Sequence, residues 1–192
     1  MNKHSFITIL FSLVAIAGFG QEIKMNEPSF DDYIPVLNVK GYRAYRFDFH
    51  DFDGYWAKPV IKEYIDGKES DMPTLNPKFG VSLNDKLVIG FFPSENDSTV
   101  AFVYHSFSGQ WNDRLPLRPI FYADKPKEPF YLYSSCPFEL KPPFAEGQFI
   151  PLVFYASYWY DADWDEYIFS PSTLSYFLKY CPHFYIFGIE IQ

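Results

Sequence analysis

The chain has 192 residues, of which 24 are Asp or Glu and 16 are Lys or Arg, giving a formal net charge of −8. A surface of this charge repels phosphate backbones, and no Lys/Arg run offsets it, so nucleic acid is not an expected partner. Aromatic residues make up 22% of the chain, and such side chains favour strands, which predicts a β-rich protein.

The N-terminus has the pattern of a cleavable secretion signal. Lys3 precedes an apolar stretch that runs from Phe6 to Phe19. Gly18 and Gly20 then place small residues at the two positions that a signal peptidase reads. The stretch is shorter than the roughly 20 apolar residues of a spanning helix, so we expect it to be removed rather than to remain as an anchor.

This pattern also predicts the organisation and location of the protein. We expect a signal peptide over residues 1–20 and a single β-rich domain over residues 21–192, with no membrane span in the mature chain. Gln21 stands where a lipoprotein would carry Cys. The expected product is therefore an exported protein, periplasmic or extracellular, that is not a lipoprotein.

Predicted elements follow in chain order. Helical spacing ended by Gly41 predicts a short helix within residues 29–40. Tyr45, Phe47 and Phe49 alternate with polar residues, as in a half-buried strand. Further strands are predicted where apolar runs lie between turn signals: residues 60–65, 86–92 and 99–107. Residues 114–122, 130–133 and 138–140 are shorter candidates interrupted by prolines, so we expect them to be sheet edges or irregular crossings.

The two most apolar stretches of the mature chain lie near its end. Residues 148–160 and 183–191 are apolar on both faces, which predicts central strands covered from both sides. A short helix is expected between them, beginning after Pro171 and ending before Pro182. Many short strands with little helix indicate an antiparallel β-sandwich with one or two short helices; the alternative is an α+β roll with those helices packed on one sheet.

Two cysteines, Cys136 and Cys181, remain after export. An even number of cysteines in an oxidising compartment predicts a disulfide between them. The alternative is a pair of buried free thiols that behave as small apolar side chains.

Four stretches together resemble a known family: EIKMNEPSFDDYIPVLNVKGYRAYRFD, KLVIGFFPSENDS, FIPLVFYASYWYD and PHFYIFGIEI. The family is one of small secreted proteins of Gram-negative gut anaerobes, classed as a domain of unknown function. The resemblance spans most of the mature chain and implies export and a β-rich fold. It implies no activity and no site residue, because the stretches contain no chemical motif.

An acidic segment follows the first of the two apolar stretches. Asp161, Asp163 and Asp165 alternate as in the opening of a calcium loop. Glu166, however, stands where the sharp turn requires Gly, and Ser172 stands where the closing carboxylate belongs. We interpret the segment as a solvated loop and expect neither a metal nor a cofactor.

The same segment is the best candidate for binding a glycan or an envelope protein. Exposed aromatic rings can stack on a sugar face while carboxylates accept hydrogen bonds from hydroxyl groups. Trp159 belongs to the buried pattern, so we expect it in the core. The candidate ligand-binding residues are Tyr160, Asp161, Asp163, Trp164 and Asp165.

No catalytic motif is present. The mature chain has three histidines, His50, His105 and His183, and no GxSxG, HExxH, phosphate-binding or paired-Cys pattern. Two carboxylates from distant strands could form a hydrolase site that a sequence does not reveal. We therefore expect a non-catalytic binding protein, with a small carboxylate-dependent hydrolase as the alternative.

Overall fold

The computed structural model describes residues 37–49, 55–71, 80–83, 86–92, 98–121, 129–140, 144–170 and 173–192, all of which belong to one unit, Pro35–Gln192. The expected signal peptide lies outside the described residues. So does most of the expected first helix, of which residues 37–39 are helical. No helix in the described part of the chain is long and apolar enough to cross a membrane.

The elements in chain order are β1 (Arg43–Asp48), β2 (Trp56–Ile65), β3 (Lys68–Glu69), β4 (Val81–Ser82), β5 (Lys86–Phe92), β6 (Thr99–Ser106), β7 (Gly109–Pro116), β8 (Ile120–Phe121), β9 (Pro129–Phe130), β10 (Tyr133–Pro137), β11 (Phe149–Ser157), β12 (Trp159–Asp161), β13 (Glu166–Ile168), α1 (Leu174–Tyr180) and β14 (His183–Ile191).

Two antiparallel sheets form the body of the fold. The smaller has the strand order β1-β5-β6-β7, and the larger has the order β10-β11-β14-β2-β3, with β4 also paired to β2. Every pairing within them is antiparallel. The predicted mainly β, antiparallel architecture is therefore confirmed.

Aromatic contacts join the facing sides of the two sheets. The Phe187 ring of β14 meets Phe91 of β5 edge to face at 4.8 Å and Phe102 of β6 at 5.3 Å. The Tyr104 hydroxyl crosses the same core and donates to the Gly188 carbonyl at 3.2 Å. These contacts bury large aromatic surfaces, which is the main stabilising contribution to such a core.

The larger sheet is also covered on its outer face. Phe177 of α1 stacks on Phe154 of β11 with ring centroids 4.1 Å apart, and it also meets Phe184 of β14. Trp159 of β12 packs against Phe177 at 5.9 Å. The central strands β11 and β14 are thus buried on both faces, as their sequences predicted, and α1 covers them at the predicted position.

Two of the proline-interrupted candidates differ from regular strands over their predicted residues. Residues 138–140 form no strand; instead the Phe138 ring stacks on Phe154 at 3.7 Å, so the apolar character reflects packing rather than pairing. Strand β7 begins at Gly109, earlier than predicted. Its first half is polar because it is an edge strand of the smaller sheet, where Trp111 packs against the core.

The predicted disulfide is absent: Cys136 and Cys181 are both free and buried. The two residues belong to one apolar cluster, but the Cys181 thiol is directed elsewhere. It lies 3.3 Å from the Ser157 carbonyl and 3.3 Å from the His183 carbonyl, to which it donates. The alternative prediction, that of buried free thiols, describes this arrangement.

Candidate functional site

The acidic segment folds as a hairpin, β12–β13, at one side of the body. Tyr160 pairs with Tyr167 and Asp161 with Glu166 across the two short strands. The Asp161 side chain accepts a hydrogen bond from the Asp163 backbone N–H at 2.9 Å, a turn contact that short Asx side chains favour. Asp165 completes the turn with a φ of 53°.

The hairpin separates its two tryptophans. Trp159, at its base, is 4% exposed, whereas Trp164, in its turn, is 74% exposed. Tyr160, on the strand leading to the turn, is 46% exposed. The prediction that Trp159 belongs to the core is confirmed, and an indole and a phenol ring remain at the surface.

Local contacts hold the surface of the hairpin in place. The Tyr160 hydroxyl donates to Asp165 Oδ1 at 2.5 Å, and this bond raises the pKa of Tyr160. On the opposite strand, the Tyr167 hydroxyl donates to the Phe121 carbonyl at 2.9 Å, and its ring meets Phe130 edge to face. The hairpin is thus tied to the small β8–β9 sheet, which limits the entropy lost on binding a ligand.

The structure brings the five predicted residues into one hairpin, but their carboxylates do not converge as metal ligands. Asp163 and Asp165 are exposed, and Asp161 is half-buried. No group of three or more metal-ligating side chains occurs in the described part of the chain. Asp161 and Asp165 each use Oδ1 for the local contacts, so Oδ2 of each takes no part in them.

Sequence reasoning missed a second polar group, which is buried. His183 Nε2 lies 3.0 Å from Glu63 Oε1, and His183 Nδ1 lies 2.5 Å from the Tyr133 hydroxyl. The Tyr185 hydroxyl lies 3.2 Å from the same Glu63 oxygen and 2.6 Å from the Pro116 carbonyl, and these two acceptors share its one proton. We call these four side chains the Glu63–His183 cluster.

A sequence signal for this cluster exists in β2. Ala57, Ile61 and Glu63 are all buried there at odd positions, so a carboxylate falls in an otherwise apolar alternation. A charged group on a buried face needs partners, and a histidine on the neighbouring strand supplies one because His183 pairs in register with Ile65. Only the strand pairing, which the sequence does not state, reveals that neighbour.

Electrostatics in the cluster keep the carboxylate charged and the imidazole neutral. Burial lowers the pKa of His183, although Glu63 counteracts this. Burial alone would raise the pKa of Glu63, but hydrogen bonds from Ser70, His183 and Tyr185 lower it overall. Because a carboxylate only accepts, the neutral ring carries its proton on Nε2 and accepts from Tyr133 at Nδ1.

These pKa directions do not suit a general acid or a nucleophilic thiol within this cluster. A general acid in glycoside hydrolysis is a carboxyl whose pKa is raised, and that of Glu63 is lowered. Cys181, the thiol nearest in sequence to His183, has a pKa raised by burial to about 11, and a nucleophilic thiol needs a lowered one. We interpret the Glu63–His183 cluster as a structural link between strands.

Comparison with known proteins identifies a family but no activity. A family model described as "Domain of unknown function (DUF5041)" matches residues 72–192. No curated protein matches the chain. No solved structure matches it either.

Proposed function

The chain belongs to the DUF5041 family of domains of unknown function, and from the geometry of its own residues we propose that it is an exported, non-catalytic protein that binds a glycan through the β12–β13 hairpin. Export is supported by the secretion-signal pattern of residues 1–20. The observation that carries the binding proposal is Trp164, whose ring is 74% exposed at the turn of the hairpin.

An exposed indole offers a ligand a large apolar face. A tryptophan exposes a large apolar area to water, and its ring face carries partial negative charge that attracts the C–H face of a sugar. Trp159, only five positions earlier, shows that the same segment can bury a tryptophan when packing requires it. Trp164 instead lies in the turn, beyond the strand pairs.

The side chains around Trp164 complement a polyhydroxylated ligand. Oδ2 of Asp161 and of Asp165 can each accept a hydrogen bond from a sugar hydroxyl, and hydrogen bonds to ionised acceptors are the stronger kind. Tyr160 adds a second, partly exposed ring on the same hairpin. The tight bond between Tyr160 and Asp165 fixes the ring and the carboxylate before a ligand arrives, which reduces the ordering cost of binding.

The test is a substitution at Trp164. Screening the protein on a glycan array identifies a bound sugar, and calorimetric titration then compares wild type with Trp164→Ala. We expect affinity to fall about tenfold or more, equivalent to ~1.4 kcal/mol. The thermal midpoint should stay close to that of wild type, because loss of a core Trp would cost about 3–5 kcal/mol, and Trp164 is not in the core.

The matched control is Phe107→Ala, which removes an aromatic ring that is 94% exposed outside the hairpin. It should leave glycan affinity unchanged. Unchanged affinity in Trp164→Ala, or a protein that binds no sugar on the array but captures an envelope protein through the same hairpin, would overturn the glycan proposal.

A further inference from the structure

A cleft of about 270 Å³ opens at one end of the larger sheet. Its base is a row of residues at the ends of four adjacent strands, β10, β11, β14 and β2: Tyr133, Ser157, His183 and Ile65. Residues 118–121, which follow β7, and the pair Asp66 and Pro182 complete the lining. Ser157 and His183 are buried at the base, whereas most of the other lining residues are exposed, so the cleft is open to solvent.

Two opposite charges line the cleft without pairing. Arg118 and Asp66 are both exposed lining residues, and neither side chain forms an ion pair in the described part of the chain. Both act on the His183 ring at the base, where the cation lowers its pKa and the anion raises it. Both charges therefore lie near that neutral ring, and one small molecule seated over it can meet the two together.

Backbone contacts hold the two charged residues in place. The Arg118 N–H donates to the Tyr133 hydroxyl at 3.0 Å, and the Arg118 carbonyl lies 3.0 Å from the same oxygen. The Asp66 N–H donates to the Pro182 carbonyl at 2.8 Å. Pro119 and Pro182 have φ angles fixed by their rings. Because these backbones are ordered before a ligand arrives, the ordering cost of binding is small.

The size and the apolar lining of the cleft define the rest of the ligand. Its volume lies just below the range of about 300–1,000 Å³ that is usual for drug-sized ligands, which suits a smaller molecule than a peptide or an oligosaccharide. Ile120 is buried beside the cleft, and the Phe121 ring is 50% exposed. A hydrocarbon group that covers this ring gains free energy from the apolar area removed from water.

We propose that this cleft binds a free α-amino acid with an aliphatic side chain. The carboxylate of the amino acid accepts hydrogen bonds from the Arg118 guanidinium, whose planar fork matches a carboxylate. Its ammonium group donates to the Asp66 carboxylate, and its side chain lies against Phe121. The proposal is independent of the glycan site, because no residue of the β12–β13 hairpin lines the cleft as described.

Isothermal titration calorimetry with L-leucine tests the site directly. The wild-type protein should bind L-leucine at millimolar or lower concentration. N-acetyl-L-leucine lacks the ammonium group, and L-leucinamide lacks the carboxylate. Each should bind at least about tenfold more weakly, since each loses one charge-assisted contact. Absence of L-leucine binding, or a derivative that binds as tightly as L-leucine, would overturn the proposal.

Substitutions assign each charge to its partner. Asp66→Asn should weaken L-leucine binding about tenfold and leave that of N-acetyl-L-leucine unchanged. Asn tolerates the left-handed backbone found at Asp66, where φ is 48°, so the turn is retained. Arg118→Gln should likewise weaken L-leucine binding and leave that of L-leucinamide unchanged. Wild-type affinity for L-leucine in both variants would overturn the proposal.

Matched controls separate this cleft from the rest of the surface. Asp71→Asn and Arg114→Gln remove the same charges at exposed positions outside the cleft, and both should bind L-leucine as wild type does. Circular dichroism checks that every variant is folded. Trp164→Ala should also keep wild-type affinity for L-leucine, and a loss there would show that the amino acid binds at the hairpin instead.

Discussion

The Glu63–His183 cluster places two titratable side chains inside the fold, where each depends on its neighbours. His183 faces Glu63 through one ring nitrogen and Tyr133 through the other. Arg118 and Asp66 act on it from outside, the first lowering its pKa and the second raising it. Burial outweighs the attractive contacts, so the ring is neutral in the folded protein and gains a proton more readily after unfolding.

This difference predicts that acid destabilises the protein. The pKa of His183 is lowered below its usual 6.5 in the folded protein. Its contribution to stability is therefore complete above pH 6.5 and is lost as the pH falls through the pKa of the folded state. Glu63 also loses its contribution to stability in acid, but at lower pH, because its pKa is lowered below its usual 4.5. Urea unfolding at about pH 7, 6 and 5 should show a falling free energy of unfolding.

Substitution of His183 tests whether this residue causes the change of the free energy of unfolding with pH. His183→Gln should flatten the pH dependence between about pH 7 and 5, while losing some stability at neutral pH because Glu63 loses a partner. His105→Gln, at an exposed position on β6, should keep the slope of wild type. A slope that survives in His183→Gln would show that another group titrates.

The two buried thiols should be unreactive in the folded protein. Burial raises the pKa of Cys136 and of Cys181 to about 11 in each case, and both side chains are nearly inaccessible. Ellman's reagent at about pH 8 should therefore titrate almost no thiol in the native protein and both thiols in denatured, non-reduced protein. If no thiol is titrated in the denatured protein, Cys136 and Cys181 form the disulfide that the sequence predicted.

Among the elements, those with a strong local pattern were predictable from the sequence. The hairpin of β5 and β6 follows two apolar runs around a polar loop, and the β2–β3 turn follows the Asp66-Gly67 pair. Positive φ angles of 48° and 75° at these two residues are those of the turn that such pairs favour. Elements whose role depends on a distant neighbour, such as the polar first half of β7, were not predictable.

Gly67 carries a second constraint that the turn alone does not impose. A Cβ atom there would lie 2.3 Å from the Leu178 backbone carbonyl oxygen of α1, so the turn and the helix are in close contact. Gly67→Ala should therefore cost more than the ~1–2 kcal/mol of a left-handed backbone at a non-glycine residue. Urea unfolding of wild type and Gly67→Ala measures this loss of free energy of unfolding.

Gly147→Ala is the matched control. Gly147 has a φ of 73°, close to that of Gly67, but a Cβ there would meet nothing within 4 Å. Gly147→Ala should therefore lose only the free energy of unfolding that the left-handed backbone costs. The difference in free energy of unfolding between Gly67→Ala and Gly147→Ala then measures the contact with α1. Equal costs would mean that the helix moves away without penalty.

At the scale of the whole molecule, the sequence predicted which strands lie at the centre but not what covers them. Apolar residues on both faces identified β11 and β14. One face of these strands packs against the smaller sheet, and the other packs against α1 and Trp159. Which face meets which neighbour depends on how the side chains fit across the layers. The five candidate residues of the hairpin were predicted from composition, whereas the Glu63–His183 cluster arises only when strands pair.

The layered arrangement predicts how local stability is distributed. β14 is paired with β11 on one side and with β2 on the other, and both of its faces are buried. Its amides should therefore exchange with solvent only when the whole domain unfolds. The β12–β13 hairpin has three residue pairs, and its turn is exposed, so it should open on its own.

Hydrogen exchange followed by mass spectrometry measures this difference. Under native conditions, amides of residues 162–168 should exchange at least about a hundredfold faster than those of β14, as expected when local opening costs much less free energy than global unfolding. Trp164→Ala should leave both rates unchanged, because Trp164 is not in the core. A bound sugar should slow exchange in the hairpin alone. Hairpin protection equal to that of β14 without any ligand would show that the hairpin belongs to the rigid body of the fold.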